Sequence, residues 1–359
     1  MSFWTRAHLT EADRSACLAA LQRTYPGYGM EEHEHQGLCS YTLLLSPRQQ
    51  QQQQQQQLVV QIRVARHALR EEVARAAREV YGAVAPEVRA VGVRLPRGLG
   101  GWEMGRVGGT PLSVLMMRGG DAGGAGRLAE RSRALVVSFA GVVARSWPKG
   151  KKGLGRRDSG VLPSSVPRSF EGARAMLPLC TGRVGSRIAP KLAQLAAELP
   201  DGWLRAEARD KLDRIQSVHD YPVVLTHGDL IPSNVLVDDD TWTITGLVDW
   251  AEAEPLPFGT CLYGLEHLLG ALVSEPRDGG MAWVYRYGPC APELRELFYN
   301  TLVALVPELG HRQEELRLMR DVGVLLWHGY AWDDGAVDRV VDEGRDGEEL
   351  AKLRAMLSV

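Results

Sequence analysis

Residues 223–259 read VVLTHGDLIPSNVLVDDDTWTITGLVDWAEAEPLPFG, and the fold can be read outward from this stretch. An apolar run at 223–225 delivers His227, Gly228 and Asp229 into a polar turn, and Asn234 stands five residues past Asp229. Val235, Leu236 and Val237 form a short apolar strand. TWTITGLVDW, residues 241–250, supplies its hairpin partner and ends at Asp249, fifteen residues after Asn234. Both strand ends therefore present polar side chains at one edge of a hairpin.

Taken singly, these residues are ordinary. An HGD tripeptide is commonly a capped turn, and a lone aspartate commonly caps a strand end. The whole set, at this spacing, points to phosphoryl transfer. That reaction spreads negative charge over the transferring oxygens, so a protein must supply metal-binding oxygens and orient the nucleophile. Asp229 fits a base that takes the proton of an acceptor hydroxyl. Asn234 and Asp249 fit a magnesium pair, because Mg²⁺ takes hard oxygen ligands. His227 fits a brace of the turn rather than a reacting group. Glu252 and Glu254 follow closely; they read as surface charges unless one of them touches substrate or a second metal. Trp250 fits a packing residue.

Toward the N-terminus the chain predicts a small α+β region. Apolar spacing at Glu11–Thr24 indicates a helix, and GLCSYTLLLSP carries a strand around 39–45. Nine glutamines follow at 49–57, and LVVQIRV at 58–64 is a second strand, so the tract sits at a hairpin tip. It is tolerable there, since doubling a surface loop costs only ~0.6 kcal/mol. Residues 69–81 make a helix with Leu69, Val73, Ala76, Ala77 and Val80 on one face, stopped by Gly82. A third apolar run at 91–95 reads as a strand; a glycine-rich hairpin at 97–101 and a strand at 102–104 then lead to a glycine-rich crossing at Gly105, Gly108 and Gly109.

Past residue 110 the pattern turns helical, with helices at 126–147, 188–199, 204–218, 293–306 and 314–327, and a charged C-terminal tail. LYGLEHLLGALV, residues 262–273, reads as one apolar helix in which Glu266 and His267 are satisfied structural polars. Trp147, Trp283 and Trp327 read as core. Residues 149–168 form a Gly/Ser/Pro/Lys-rich loop.

The catalytic block resembles that of the aminoglycoside phosphotransferase and choline-kinase superfamily, which is related to protein kinases. In finer detail the chain is similar to a group of fungal proteins carrying the aminoglycoside phosphotransferase domain. The supporting residues are QGLCSYT at 36–42, VQIR at 60–63, VYG at 80–82, the block itself, PFG at 257–259 and LYGLE at 262–266. The resemblance spans residues 30–330. It implies an α+β, bilobal, protein-kinase-like fold with a small antiparallel-sheet N-lobe and a mainly helical C-lobe. The division is an N-terminal helical extension (1–30), an N-lobe (31–107) and a C-lobe (108–359) with catalytic loop 227–234 and metal-binding turn 247–252.

By position, the resemblance makes Asp229 the catalytic aspartate, braced by His227, and Asn234 and Asp249 the metal ligands. It gives Gly37 and Ser40 to the nucleotide-positioning loop, and the backbone of Met104 to Val107 to adenine. It also implies ATP with magnesium as co-substrate and a small-molecule hydroxyl as acceptor. One departure stands out. The family's third strand carries a lysine on the phosphates, paired with a helix glutamate; here that place holds Arg63, with Glu72 as the expected partner and Glu71 and Glu79 as alternatives. Lysine is absent from residues 1–148, so none nearby can substitute. Arginine is longer, planar and bidentate. That motivates the alternative of a nucleotide-binding scaffold with little turnover.

Composition narrows the field further. A chain of 359 residues exceeds what one core usually holds, ~250–300 residues. A net charge of −2 draws it to neither nucleic acid nor anionic membrane, and the basic run at Lys149, Lys151, Lys152, Arg156 and Arg157 reads as a solvated loop. Five widely spaced cysteines without CxxC argue against a disulfide framework or zinc knuckle. No secretory signal and no run of ~20 apolar residues is present, so the expectation is a cytoplasmic protein. A protein kinase is disfavoured because Asp249-Trp250-Ala251 takes the DFG place and no APE segment occurs. A polyglutamine interaction protein would leave the catalytic block unexplained.

Overall fold

A computed structural model describes residues 2–34, 36, 37, 39–48, 56–118, 125–148, 175–277, 280–333 and 338–359. Most of the glutamine tract, the loop at 149–168 and its basic run lie outside these residues. The chain divides into two compact units, one of residues 1–108 with 246–251, the other of 109–245 with 252–359.

The first unit is an antiparallel sheet with helices. Its chain order is α1 (Phe3–Arg6), α2 (Glu11–Thr24), β1 (Tyr28–Glu32), β2 (Ser40–Pro47), β3 (Leu58–Arg63), α3 (Glu71–Tyr81), β4 (Val88–Ala90) and β5 (Gly100–Gly105). The sheet order is β1-β2-β3-β5-β4. Alternation places Tyr41, Leu43 and Leu45 of β2 beside Val60 and Ile62 of β3 on one buried face, where Phe3, Trp4, Cys17 and Leu21 cover them. Burying each such side chain contributes roughly 1.5–3 kcal/mol. The first thirty residues thus supply core. α2 starts at a capping box: Thr10 Oγ1 accepts from the Asp13 N–H, and the Asp13 carboxylate accepts from the Thr10 N–H. The Thr10 amide and hydroxyl, with Arg97, hold Asp13 down at about 2.

The β2–β3 pairing is the expected hairpin, with Ser40 opposite Arg63 and Leu45 opposite Leu58. One expectation needs correction. The third apolar run at 91–95 is not a strand; pairing falls on β4, where Val88 meets Met104, while Val91 and Leu95 plug the core from a loop. The edge strand β1 was not anticipated, because YGMEE has no apolar alternation.

The second unit is mainly helical. It runs β6 (Thr110–Pro111), α4 (Leu112–Arg118), α5 (Ala125–Ala144), α6 (Gly182–Gly185), α7 (Ile188–Glu198), α8 (Gly202–Gln216), β7 (Val223–Thr226), β8 (Val235–Val237), β9 (Ile244–Leu247), β10 (Glu254–Pro257), α9 (Tyr263–Leu269), β11 (Gly270–Arg277), β12 (Gly280–Tyr287), α10 (Ala291–Leu305), α11 (Gln313–His328) and α12 (Gly347–Leu357). β6, β8 and β9 form one small sheet; β7 pairs with β10 antiparallel. The apolar run at 262–273 breaks at Gly270, where α9 gives way to the β11–β12 hairpin. Trp283, read as core, lies on β12 and is 44% exposed. The charged tail contains α12, which buries Leu350, Leu353, Met356 and Leu357.

Within this unit Glu266 is fully buried and satisfied. Arg295 Nη2 (2.8 Å) and Tyr287 Oη (2.8 Å) donate to its Oε2, and Arg320 Nη1 (3.1 Å) to its Oε1. Among the described residues, no helix is long and apolar enough to cross a membrane.

Candidate active site

In the second unit, β7 is buried along its length and leads into His227. Gly228 follows with φ +76°, and a Cβ there would stand 2.0 Å from the Glu252 carbonyl oxygen, so only glycine fits this bend. Pro232 opens a single 3₁₀ turn that brings Asn234 back beneath Asp229. Asn234 Nδ2 donates to the Asp229 carbonyl at 2.9 Å and to its Oδ2 at 2.8 Å. The Ile231 N–H adds a bond to the same carbonyl at 3.1 Å. The five-residue spacing is therefore the reach of one compact turn. His227 is buried, and its Nδ1 accepts from the Asp229 N–H at 3.3 Å. Accepting at Nδ1 requires a lone pair there, as a brace does.

Carbonyl and carboxylate oxygens only accept from the Asn234 amide, so its NH₂ end faces Asp229 and its oxygen points elsewhere. Asp229 is half-buried, with one carboxylate oxygen engaged by Asn234. Such a turn can hold a carboxylate toward a hydroxyl and leave an amide oxygen for a cation.

In the first unit, Arg63 is only 2% exposed although it ends a strand. Its Nε (3.0 Å) and Nη2 (2.8 Å) both donate to Gln61 Oε1, and Nη1 to the His67 carbonyl at 3.4 Å. Nη2 also pairs with Asp249 Oδ1 at 3.0 Å. The expected partner Glu72 is exposed on α3, as are Glu71 and Glu79; Glu71 accepts instead from the Ala90 N–H. The structure thus joins Arg63 to Asp249 in place of a helix glutamate. Asp249 is 41% exposed and adopts φ +63°, a conformation L-residues favour little and one often kept at functional turns. Beside it, Trp250 packs its ring 4.9 Å from Tyr81 and donates Nε1 to the Leu247 carbonyl at 2.8 Å, which holds the turn.

The turn expected to position nucleotide, which begins at Gln36, is tied by that residue. Gln36 Nε2 donates to the carbonyls of His33 (2.8 Å) and Thr42 (2.9 Å), and its Oε1 accepts from the Thr42 N–H (2.7 Å), imitating a strand. Gly37 lies close to Ser40, and its carbonyl accepts from Arg6 Nη2 at 3.0 Å. Ser40 is buried opposite Arg63. Met104 is buried on β5, and Val107, half-buried, lies just past that strand.

Glu254, expected as a surface charge or a substrate contact, is instead buried. Its carboxylate accepts from the Val184 N–H at 3.0 Å and closes the loop around α6. Burial pushes its pKa up to about 7, against the pull of the backbone amides of residues 183–185. It is scaffolding for β10.

A family model for a phosphotransferase enzyme family matches residues 46–260. No curated protein is detectably similar in sequence. Among solved structures, a thermostable mutant of the aminoglycoside phosphotransferase APH(4)-Ia, in ternary complex with AMP-PNP and hygromycin B, is 15% identical. The alignment covers 95% of this chain and 97% of that one, with a TM-score of 0.49. A putative aminoglycoside phosphotransferase from Ralstonia eutropha is 13% identical over 95% and 94%, TM-score 0.49. APH(3'')-Id from Streptomyces rimosus, with ADP and streptomycin, is 15% identical over 87% and 98%, TM-score 0.42. The family match takes in β3 with Arg63, the Asp229–Asn234 turn and Asp249, and by it the chain belongs to the phosphotransferase enzyme family.

Proposed function

We propose that this chain transfers the γ-phosphoryl group of ATP to a hydroxyl of a small molecule. The observation that carries the reading is the Asp229–Asn234 pair, in which one amide fixes both the carbonyl and the carboxylate of the aspartate. In this reading Asp229 takes the acceptor proton as the oxygen attacks. His227 keeps the turn in place from behind, and Asn234 keeps the carboxylate aimed. Gly37, Ser40 and Arg63 face the phosphates, and backbone groups from Met104 to Val107 face adenine. The division into an N-lobe up to 107 and a C-lobe from 108 follows the same logic. The setting proposed is the cytoplasm, with neither nucleic acid nor membrane as partner.

The donor chemistry fits magnesium. The Asn234 amide oxygen is turned away from Asp229, and Asp249 spends Oδ1 on Arg63 while offering Oδ2. Asn234 and Asp249 are the residues that would hold it, and bound there the ion would neutralise charge on the phosphate oxygens.

One observation favours a second reading. Arg63 is engaged with Gln61 and Asp249, which suits a protein that binds nucleotide without turning it over. A single experiment separates the two. ATP labelled at the γ-position is mixed with a metabolite extract, magnesium and the protein. Label entering the low-molecular-weight fraction, and lost in Asp229→Ala, supports the kinase. Nucleotide binding with no transfer by either protein supports the scaffold, and label entering polypeptide sinks the small-molecule acceptor.

A further inference from the structure

Tyr263 opens α9, and its side chain reaches the catalytic turn. Its Oη accepts from the Leu230 N–H at 2.9 Å in a buried setting. Leu230 directly follows Asp229, so this bond acts on the peptide unit that carries the aspartate. The carbonyl of the same unit is held by Asn234 Nδ2 and by the Ile231 N–H. Both polar ends of one peptide plane are thus fixed. The peptide on the other side of Asp229 is held by His227 Nδ1. Turning the Asp229 side chain by backbone rotation therefore breaks at least one of these bonds.

The phenol is itself anchored. Its ring stacks on Trp327 with centroids 4.9 Å apart and planes 4° from parallel, and it meets His267 and His328 edge-on at 6.3 and 6.2 Å. The next residue, Gly264, lies directly against Leu230, where a Cβ would stand 3.0 Å from the Leu230 carbonyl oxygen. α9 thus grips Leu230 twice, once by a hydroxyl and once by a close backbone approach. Burial holds the phenol's pKa well above its usual value, and the nearby Asp229 charge acts in the same direction, so the hydroxyl stays protonated.

We propose that Tyr263 is a positioning residue for phosphoryl transfer, setting the direction of the Asp229 carboxylate through the Leu230 amide. The inference rests on the reading of Asp229 as the base. Misplacement of a reacting group by about 1 Å can cost roughly 10²-fold in rate, so a single lost bond here has a kinetic signature. Tyr263→Phe keeps the stacked ring and removes only the hydroxyl. Tyr285→Phe is the control: Tyr285 Oη donates to the Glu266 carbonyl at 2.6 Å, a buried bond to the same helix that does not involve Leu230.

The test measures magnesium-dependent hydrolysis of ATP, transfer to water, in the full chain, together with hydrogen exchange at the Leu230 amide. The expected result for Tyr263→Phe is a kcat about tenfold lower, an unchanged KM for ATP, and Leu230 exchange at least about tenfold faster. Tyr285→Phe changes neither. Asp229→Asn combined with Tyr263→Phe is no slower than Asp229→Asn alone. An unchanged kcat in Tyr263→Phe, or an equal fall in Tyr285→Phe, overturns the positioning role. Should Tyr263→Phe fail to fold, rapid Leu230 exchange in the unaltered protein overturns it, and slow exchange supports it. Turnover indifferent to Asp229→Asn instead sinks the functional reading, and the positioning role with it.

Discussion

In the turn that carries Asp229, the bonds made by His227, Ile231 and Asn234 run between residues two to five apart. In the corner that carries Asp249, Arg63 reaches its carboxylate across 186 positions. The first arrangement is built mainly by its own residues, in which glycine permits the bend, proline starts the return and the amide closes it, with the Tyr263 hydroxyl added from 33 positions on. The second exists only once a distant stretch of chain has docked. A local turn is the better insulated against change elsewhere, whereas the corner depends on everything that brings residues 246–251 to the sheet.

That contrast can be broken most forcefully at Asp229. Asp229→Ala should cut turnover about 10³-fold, roughly 4 kcal/mol of barrier, while ATP binding measured by calorimetry stays intact. Retained turnover would remove the local turn from the chemistry altogether. Gly228→Ala tests whether the turn tolerates any side chain. A Cβ against the Glu252 carbonyl, added to the strained φ, should cost about 3 kcal/mol in urea unfolding; a loss below about 1 kcal/mol would show that the turn yields.

Glu254 supplies a third, pH-dependent test of the local scaffold. Its folded pKa of about 7 lies above the ordinary 4.5, so the folded chain binds this proton more tightly than the unfolded one. Its contribution to stability is complete below about pH 4.5 and is lost as pH rises through 7, an expected fall of about 2–3 kcal/mol. Glu254→Gln should flatten that slope in denaturation profiles between pH 4.5 and 8. A slope unchanged by the substitution would reassign it to other groups.

The distant corner gives the smallest effect on stability. Arg63→Ala should cost about 2 kcal/mol, less than a fully buried pair, because water reaches Asp249. Arg63→Lys should cost about 1 kcal/mol, since one ammonium cannot serve Gln61 and Asp249 as a planar fork does. Affinity for magnesium–ATP is the sharper measure. A tenfold weakening in Arg63→Ala places the arginine in nucleotide binding, and an unchanged Kd confines it to holding Asp249.

The same divide between local and distant explains what could be read from residues alone. Periodicity located α2 and α3, and the apolar alternation of β2 and β3 gave the hairpin and its antiparallel sense. The Asp229 turn was legible because His227, Gly228, Pro232 and Asn234 lie within a few residues of it. β1 was not, since an edge strand can be polar on both faces and still pair. The β11–β12 hairpin hid because LYGLEHLLGALV is apolar at every spacing; Gly270 was the available signal. In α12, Leu350, Leu353 and Leu357 stand at three- and four-residue spacing, and the surrounding charges masked a helix that was there to be found. The partner of Arg63 and the role of Tyr263 had no sequence signal, because both depend on contacts that only the folded chain brings together.

The discontinuity of the first unit also has a consequence during synthesis. Residues 1–108 emerge from the ribosome long before 246–251, so the guanidinium of Arg63 must wait for its acidic mate. At ~5–20 residues per second the 186 intervening positions take roughly 10–40 s to translate. A sheet that formed within that interval would hold this cation, among the described residues, by Gln61 and the His67 carbonyl until Asp249 arrived.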